Sequence, residues 1–302
     1  MTAIKKHLIV VAGPTAVGKT AVSIKLAKHF SGEIISADSR QIFRELNIGT
    51  AKPDEAELAS APHHFVDSHS IHEEYDAARY GQDALELIHR LFERNDFLIL
   101  CGGSGLYIKA VLEGFDDIPE VPDSIREELV EGFEANGIGW LQEKMMTLDP
   151  DHFQEIDKLN PHRLMRALEV KIGTGSSIAS FRKKQKREHD FNIHKIGLEL
   201  PREELHERID ARMDKMIAEG LFEEAQQLFP FRNHNALQTV GYQEIFDFME
   251  GKYGREEAIR LLKRNSRRYA KRQLTWFKRD EEMKWFSPEP FQQILDWLQT
   301  RI

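Results

Sequence analysis

Apolar and polar residues follow two different periods in the first third of the chain. Short, mostly apolar runs at 7–12, 33–37 and 97–101 predict buried strands. The segments 20–30 and 77–94 instead repeat apolar residues every three or four positions, which predicts helices. Strands that alternate with helices are typical of a doubly wound parallel sheet with helices on both faces. The pattern therefore predicts an α/β fold.

A segment rich in proline and acidic residues, 115–124, marks a change in this pattern. Helical spacing then continues to about residue 171, a loop is predicted at 173–177, and a further strand is predicted at 194–200. The remainder is mostly helical, with helices predicted at 203–229, 242–250 and 256–277. The predicted parts are an α/β core at 1–117 and 191–302 and a helical insertion domain at 118–190.

The composition excludes several classes of protein. The chain has 302 residues, of which 41% are hydrophobic and 30% are charged, as in ordinary globular proteins. Its apolar runs are shorter than the roughly 20 residues of a membrane helix, and the N-terminus lacks the apolar segment of a signal peptide. The single cysteine, Cys101, can form neither an internal disulfide nor a zinc site of cysteines. We therefore expect a soluble cytoplasmic protein without a membrane partner.

Basic residues are clustered, although the net charge of −8 argues against a nucleic-acid partner. The segment 182–187 is nearly all basic, and 260–279 is rich in lysine and arginine. Two interpretations remain open for these segments. They are either solvated helix faces or a basic surface that binds a phosphate-rich partner.

Residues 13–20 match the phosphate-binding loop pattern G-x-x-x-x-G-K-[ST] in full, between a predicted strand and a predicted helix. In such a loop the backbone N–H groups and the helix N-terminus bind phosphate oxygens. Lys19 would add a full positive charge, and the Thr20 hydroxyl would bind Mg²⁺. The residues predicted to bind a diphosphate are Gly13, Pro14, Thr15, Ala16, Val17, Gly18, Lys19 and Thr20. The predicted fold is therefore a P-loop, doubly wound parallel sheet with a helical insertion domain and a helical C-terminal part.

A carboxylate, Asp38, follows the second predicted strand, at the sheet edge where α/β proteins bind ligands. Asp38 could be a Mg²⁺ ligand, a general base, or an N-cap of a helix at 41–46. Thr50, Lys52 and Ser104 are predicted at the same edge. The strand at 97–101 ends without a carboxylate, which weakens an interpretation as an ATP hydrolase.

Seven motifs, taken in order, resemble the tRNA dimethylallyltransferase family, also called IPP transferases. They are GPTAVGKT at 13–20, IISADSRQ at 34–41, GTAKP at 49–53, GGSGLY at 102–107, RLMRALE at 163–169, VGY at 240–242 and KRQLTW at 271–276. The resemblance implies a prenyl transferase that uses Mg²⁺. This enzyme would move a dimethylallyl group from dimethylallyl diphosphate to the exocyclic N6 amine of the adenosine adjacent to the anticodon. It also implies a monomer whose partner is the tRNA anticodon stem-loop.

The same resemblance implies roles for individual residues, with Asp38 as the general base and the phosphate loop holding the diphosphate leaving group. The implied catalytic residues are Asp38, Lys19, Thr20 and Arg212, with Thr20 as the metal ligand. The implied tRNA contacts are Asp38, Ser39, Arg40, Gln41, Ser104, Arg126, His162, Arg163, Leu164, Met165, Arg166, Gln238, Thr239, Val240, Gly241, Tyr242 and Gln243. Ser104 stands where the family motif has threonine, and Gln238 stands where some relatives have arginine.

Two other functions fit part of these observations. A P-loop kinase for a small metabolite or nucleotide would share the loop, Mg²⁺ and an acceptor-side aspartate. A non-catalytic RNA-binding NTPase would bind tRNA and leave it unmodified. The insertion domain is correspondingly either a tRNA clamp, together with 260–279, or a packing domain without a ligand.

Overall fold

The computed structural model describes residues 5–182 and 187–302, so the middle of the basic segment 182–187 lies outside the described residues. Contacts divide the chain into two compact units. The core unit is formed by Met1–Glu113 and Glu188–Ile302, and the helical unit by Gly114–Arg187. The sequence predicted the corresponding boundaries at 118 and 190.

The strands of the core unit form a parallel six-stranded sheet. In spatial order they are β3 (His63–His64), β2 (Glu33–Ser36), β4 (Phe97–Gly102), β1 (His7–Ala12), β5 (Asn192–Leu198) and β6 (Lys284–Phe286). The predicted α/β fold with a parallel sheet is confirmed. Strands β3 and β6 were not predicted, because two and three residues are too few to show a period.

The helices follow the predicted pattern with two corrections. In chain order they are α1 (Lys19–Phe30), α2 (Glu55–Ser60), α3 (Ala77–Phe92), α4 (Gly105–Leu112), α5 (Asp123–Asn136), α6 (Ile138–Leu148), α7 (Pro150–Glu155), α8 (Pro161–Thr174), α9 (Arg202–Ala218), α10 (Leu221–Leu228), α11 (Gln243–Met249), α12 (Arg255–Phe277) and α13 (Gln292–Gln299). The single helix predicted at 203–229 is two helices, because Gly220 has a left-handed φ of 104° that ends the first. The loop predicted at 173–177 begins later, because α8 continues to Thr174.

Strand β1 shows why both faces of the sheet carry helices. Alternate side chains of the strand belong to two separate apolar clusters: Leu8 and Val10 to one, Ile9 and Val11 to the other. All four are fully buried, and each such side chain contributes about 1.5–3 kcal/mol to folding. Helices therefore cover both faces of the sheet at β1. The carboxyl end of this strand, Ala12, leads directly into the predicted phosphate loop.

The helical unit has an apolar core of its own. Leu129 of α5 and Leu141 and Met145 of α6 pack with Leu164 and Leu168 of α8. Within the described ranges 5–182 and 187–302, no helix is both long enough and apolar enough to cross a membrane.

Two histidines form a buried pair at the amino ends of β1 and β5. Nδ1 of His7 lies 2.9 Å from Nε2 of His194, so one ring must donate and the other accept. Burial, together with the nearby His7 and Arg301, lowers the pKa of His194 to about 4. His194 is therefore neutral in the folded protein near neutral pH.

We predict that this pair makes the protein less stable in mild acid. Because the folded pKa of His194 lies below the usual value of about 6.5, its stabilising contribution is complete above that pH. It is lost as the pH falls from about 6.5 to about 4. Calorimetry across this interval should show a steeper fall in Tm for the wild type than for His194→Gln. Parallel profiles for the two proteins would contradict the prediction.

Candidate active site

The loop at 13–20 curls between β1 and α1 in a conformation that requires glycine at two positions. Gly13 has a φ of 152° and Gly18 a φ of 107°, and residues with a side chain rarely adopt such values. A Cβ atom at Gly13 would also lie 2.7 Å from the carbonyl oxygen of Leu198 in β5. The glycines therefore let the loop pass close to a neighbouring strand.

The ammonium group of Lys19 lies within this loop. Its Nζ donates hydrogen bonds to the carbonyl oxygens of Gly13 (3.1 Å) and Pro14 (2.8 Å). Burial lowers the pKa of Lys19 to about 8; Arg212 acts in the same direction, and Asp38 opposes it. Lys19 is therefore a half-buried cation whose charge is only partly offset by the two carbonyl oxygens and by Asp38.

Arg212 of α9 reaches the phosphate loop from the opposite side. Its Nη2 donates a hydrogen bond to the hydroxyl of Thr15. Burial lowers the pKa of Arg212, and the carboxylate of Asp38 opposes the shift. Arg208, one turn earlier, is exposed and instead pairs with Glu204 at 2.9 Å. The loop therefore gains one guanidinium from this helix, at Arg212.

Asp38 lies at the carboxyl end of β2 and uses one oxygen to order the chain after it. Its Oδ1 accepts hydrogen bonds from the backbone N–H groups of Arg40 (2.9 Å) and Gln41 (3.3 Å). The following residues form turns, so the alternative of a helix N-cap is wrong. Its Oδ2 accepts no hydrogen bond from the part of the chain that the structure describes, which leaves this oxygen for a ligand.

A cavity of about 280 Å³ joins the phosphate loop to Asp38. Side chains from the loop, the strand ends and α9 form its wall. Those with polar groups include Thr15, Lys19, Thr20, Asp38, Gln41, Thr50, His63 and Arg212. Two cations, a carboxylate and several hydroxyl groups therefore line one cavity. Such a space can hold a phosphorylated ligand beside an acceptor that loses a proton.

Magnesium fits the oxygen donors of this cavity. The hydroxyl of Thr20 and the carboxylate of Asp38 line the same space, and Mg²⁺ prefers such oxygens. Residues 5–182 and 187–302 contain no group of three or more His, Cys, Asp or Glu side chains that could hold a metal. A magnesium ion would therefore depend on ligand phosphates and water for much of its coordination.

The residues after Asp38 bind neighbouring loops. Ser104 Oγ accepts the backbone N–H of Ser39 at 2.9 Å and donates to its Oγ at 3.1 Å. Gln41 Nε2 donates to the carbonyl oxygens of Thr50 (3.2 Å) and Ala51 (3.0 Å). The serine at 104 therefore retains the hydroxyl interaction expected of a threonine.

Lys52 does not line the cavity, in contrast to the prediction. Its Nζ donates to the carbonyl oxygen of Phe43 (2.7 Å) and to Oδ1 of Asn47 (3.1 Å), and it forms an ion pair with Asp67. These acceptors lie on turns flanking the cavity wall. Lys52 therefore stabilises the loop that carries Thr50.

Gln273 of α12 is a site residue to which the sequence analysis assigned no role. Its Oε1 accepts the backbone N–H of Thr15 at 2.8 Å, and its Nε2 donates to the carbonyl oxygen of Gly103 at 2.9 Å. Gln273 is only 6% exposed and lies on the buried face of α12 with Ala270 and Phe277. The sequence does contain a signal for this residue, because Gln273 is a polar residue at helical spacing on a mostly apolar helix face.

His63 at the cavity wall was also missed. Its Nδ1 lies 2.8 Å from the carbonyl oxygen of Ala61, which can only accept, so Nδ1 carries a proton. Its Nε2 is buried and has no hydrogen-bond partner among residues 5–182 and 187–302. In the neutral ring this nitrogen is an acceptor for a ligand N–H or O–H group.

The predicted tRNA contacts at 238–243 include a residue whose side chain is buried. The hydroxyl of Tyr242 donates to Glu224 at 2.6 Å, and Glu224 also accepts the N–H groups of Ile48 (2.8 Å) and Gly49 (2.9 Å). Tyr242 therefore supports the turn beside Thr50. Any RNA contact at this residue must come from its main chain.

The predicted tRNA contacts of the helical unit divide into exposed and buried side chains. His162 and Arg163 are exposed at the start of α8, whereas Leu164 and Met165 pack in the apolar core of the unit. Arg126 and Arg166 both bind Glu169, at 2.7 Å and 3.1 Å. Of this set, the cationic and imidazole side chains are the ones available to RNA.

The basic segment at 260–279 also divides into two groups. Arg267 binds both carboxylate oxygens of Asp210 at 2.6 Å, and Lys263 pairs with Asp214. Arg268 and Lys271 are exposed and form no ion pair within the described ranges. Arg267 is therefore already paired with a carboxylate, whereas Arg268 and Lys271 are exposed cations without an ion pair in the described ranges.

Comparisons with known proteins agree on one family. A family model described as IPP transferase matches residues 41–280. A tRNA dimethylallyltransferase of Cytophaga hutchinsonii is 50% identical over 302 residues, covering 100% of this chain and 99% of its own. Another from Christiangramia forsetii is 49% identical over 297 residues, covering 98% of each chain.

Solved structures of similar proteins have the same fold. The tRNA isopentenylpyrophosphate transferase of Bacillus halodurans superposes with a TM-score of 0.73 and 37% identity, covering 98% of this chain and 97% of its own. A eukaryotic dimethylallyltransferase, described as acting on tRNA, superposes with a TM-score of 0.78 and 26% identity, covering 95% and 75%. Because the family model spans most of the sequence and a full-length relative is 50% identical to it, this chain belongs to the IPP transferase family.

Proposed function

We propose that this protein transfers the dimethylallyl group of dimethylallyl diphosphate to the N6 amine of the adenosine adjacent to the anticodon in tRNA. The observation that carries the proposal is the single cavity lined by both Lys19 of the phosphate loop and the carboxylate of Asp38. The names of the relatives, tRNA dimethylallyltransferase, supply the substrate class. The enzyme works as a monomer in the cytoplasm.

In the reaction, the adenine amine attacks the first carbon of the dimethylallyl group. A carbon–nitrogen bond forms, and the carbon–oxygen bond to the diphosphate breaks with its electron pair leaving on the diphosphate. One proton of the amine passes to Oδ2 of Asp38, which no hydrogen bond from the described residues occupies. Because the lone pair of the amine is delocalised into the ring, this proton transfer contributes about 10²–10⁴-fold in rate.

The phosphate loop stabilises the departing diphosphate. Lys19 supplies a partly desolvated positive charge, Arg212 supplies a second through its hydrogen bond to Thr15, and the loop N–H groups donate hydrogen bonds. Thr20 would hold a bound Mg²⁺, which would supply further positive charge to the leaving group. The role of Gln273 is to hold the N–H of Thr15 and the turn at Gly103 in fixed positions.

The tRNA must present an unstacked adenosine, because the reacting amine cannot reach an enclosed carboxylate from within a base stack. Exposed cations on α12 and in the helical unit bind the RNA backbone, which makes affinity fall with salt. These include Arg268, Lys271 and Arg163.

The proposal is tested by incubating the protein with dimethylallyl diphosphate, Mg²⁺ and an anticodon stem-loop, followed by mass spectrometry of the RNA. We expect one dimethylallyl addition in the wild type. In Asp38→Asn we expect turnover to fall about 10²–10⁴-fold while RNA and donor binding are retained. The asparagine Oδ1 can still accept the N–H groups of Arg40 and Gln41, so the turn is preserved.

Near-normal turnover in Asp38→Asn would remove Asp38 from the role of base. A parallel reaction with labelled ATP distinguishes the kinase alternative. ADP formation with transfer of the label to a small acceptor, and unmodified RNA, would contradict the proposed function.

A second prediction concerns the charge of Lys19. Because its pKa is about 8, kcat/KM for dimethylallyl diphosphate should decrease as the pH rises through that value, where the ammonium loses its proton. Lys19→Arg should show no such decrease, since arginine stays charged. Lys19→Ala should lower kcat/KM by about 10²–10³-fold at every pH. A wild-type profile that stays parallel to that of Lys19→Arg, together with unchanged donor kinetics in Lys19→Ala, would show that Lys19 does not bind the donor.

A third prediction separates paired from unpaired cations of α12. Arg268→Gln should weaken stem-loop binding and reduce the slope of log affinity against log salt by about 0.7, as expected for one phosphate contact. Arg267→Gln is the matched control on the same helix, and its slope should stay unchanged because Asp210 already holds Arg267. Equal slopes in Arg268→Gln and the wild type would assign Arg268 to solvated surface.

A further inference from the structure

The imidazole of His63 lies at the wall of the active-site cavity, but the transfer reaction described above gives it no role. Its Nδ1–H group donates to the carbonyl oxygen of Ala61 at 2.8 Å, which fixes the tautomer of the neutral ring. Nε2 is then an acceptor, and it is buried without a hydrogen-bond partner in the part of the chain that the structure describes. Because native proteins leave few buried polar atoms unpaired, this nitrogen requires a donor within the cavity.

The position of His63 in the sheet separates it from the carboxylate of Asp38. His63 of β3 pairs with Ile34 of β2, so both side chains face the side of the sheet that α1 covers. Ile34 precedes Asp38 by four residues, and a strand rises about 3.3 Å per residue. The hydrogen bond to Ala61 also directs the ring towards the amino end of β3. His63 therefore lies deeper in the cavity than the proposed base.

Hydroxyl groups line the cavity on this side of the sheet. Thr20 and Ser23 are three residues apart on α1, so they share a helix face, and Ser36 lies two residues after Ile34 on β2. The hydroxyl of Thr20 is the group that would hold Mg²⁺. Residues 5–182 and 187–302 offer no group of three or more ligating side chains, and Mg²⁺ gives up water reluctantly. An ion held by Thr20 would therefore keep several water molecules.

The reactants contain few donors that suit Nε2 of His63. The ionised diphosphate and the dimethylallyl group carry no N–H or O–H group. The adenine amine is a donor, but it gives its proton to Asp38 at the carboxyl end of β2. Water on Mg²⁺ is a strong donor, because the ion polarises its O–H bonds. We propose that His63 positions the hydrated Mg²⁺ ion, with Nε2 accepting a hydrogen bond from a water molecule of the ion that Thr20 holds.

His63 is a positioning residue in this arrangement, because it acts through water and contacts neither substrate. Groups that bind the ligands of a metal ion, without binding the ion, typically change its affinity about 10–100-fold. The inference rests on the proposed function, since it takes the diphosphate of that reaction as the second partner of the ion. Inorganic pyrophosphate has the same phosphate oxygens and serves as the probe below.

The first test compares pyrophosphate affinity with and without Mg²⁺, by calorimetry on the full chain. His63→Phe keeps a ring and removes the acceptor, so the gain in affinity that Mg²⁺ provides should fall about tenfold. Affinity for pyrophosphate without Mg²⁺ should stay at the wild-type value. His63→Gln supplies an acceptor oxygen and should recover most of the gain. A wild-type gain in folded His63→Phe would overturn the proposal.

His64 provides the matched control on the same strand. Its Nε2 lies 2.8 Å from Glu33, and the side chain does not line the cavity. Glutamine can still donate to Glu33, so His64→Gln should show the wild-type gain from Mg²⁺. Thermal unfolding reports whether each variant is folded. An equal loss in His64→Gln and His63→Phe would assign the effect to the strand and contradict the proposal.

The second test needs no substitution, so it does not depend on the folding of a variant. The ¹⁵N resonance of His63 Nε2 should move to lower frequency when Mg²⁺ and pyrophosphate are added together, as its lone pair accepts a hydrogen bond. A resonance that does not move would mean that the nitrogen has another partner or none. Movement with pyrophosphate alone would indicate direct contact, and movement with the anticodon stem-loop alone would indicate the adenine. Each of these three results would overturn the proposal.

The outcome is separable from that of the proposed function, because dimethylallyl transfer to the stem-loop is measured independently by mass. Transfer by the wild type, with a gain from Mg²⁺ that does not depend on His63, overturns this inference alone. A gain that depends on His63, in a protein that leaves the RNA unmodified, overturns the enzymatic proposal and leaves the role of His63 supported.

Discussion

The partly desolvated charge of Lys19 is the constraint on which the active site depends. Removing an ammonium group from water is unfavourable, and this burial holds the pKa of Lys19 near 8. The carbonyl oxygens of Gly13 and Pro14 and the carboxylate of Asp38 offset only part of the penalty. An anion with several oxygens offsets more of it, because it combines charge with hydrogen bonds. The incomplete neutralisation of this one lysine is therefore the physical basis of the proposed binding of a diphosphate in the cavity.

Distant parts of the chain shape the cavity around that charge. Gln273 connects the phosphate loop to the turn after β4. Glu224 accepts hydrogen bonds from the N–H groups of Ile48 and Gly49 and from the hydroxyl of Tyr242, and it thereby links α10 to both segments. Neither side chain lines the cavity. Both act by fixing the backbone of loops that do. The geometry of the site consequently depends on hydrogen bonds from parts of the core unit that are distant in sequence.

Local patterns were sufficient to predict most of the fold. The strands of the central sheet and the phosphate loop were predicted because each has a complete signal within a few residues. The short strands β3 and β6 depend on pairing with neighbours that are distant in sequence, so no local period marks them. The sequence pattern predicted one helix where α9 and α10 flank Gly220, because their apolar spacing continues through the break.

The site was predictable to the extent that its residues belong to motifs. Lys19, Asp38 and Arg212 were identified, and the structure places them around one cavity. The pairing of Arg267 with Asp210 and the inward position of Lys52 could not be predicted, because each depends on a partner brought near only by tertiary folding. The hydrogen bond from Thr15 to Gln273 spans 258 positions of sequence. During translation, the ribosome therefore releases the phosphate loop long before the helix that completes it, and β5 also arrives late beside β1. The hydrogen bond from Thr15 to Gln273 can therefore form only after residue 273 has been synthesised, so the phosphate loop reaches its final geometry late in the synthesis of the chain.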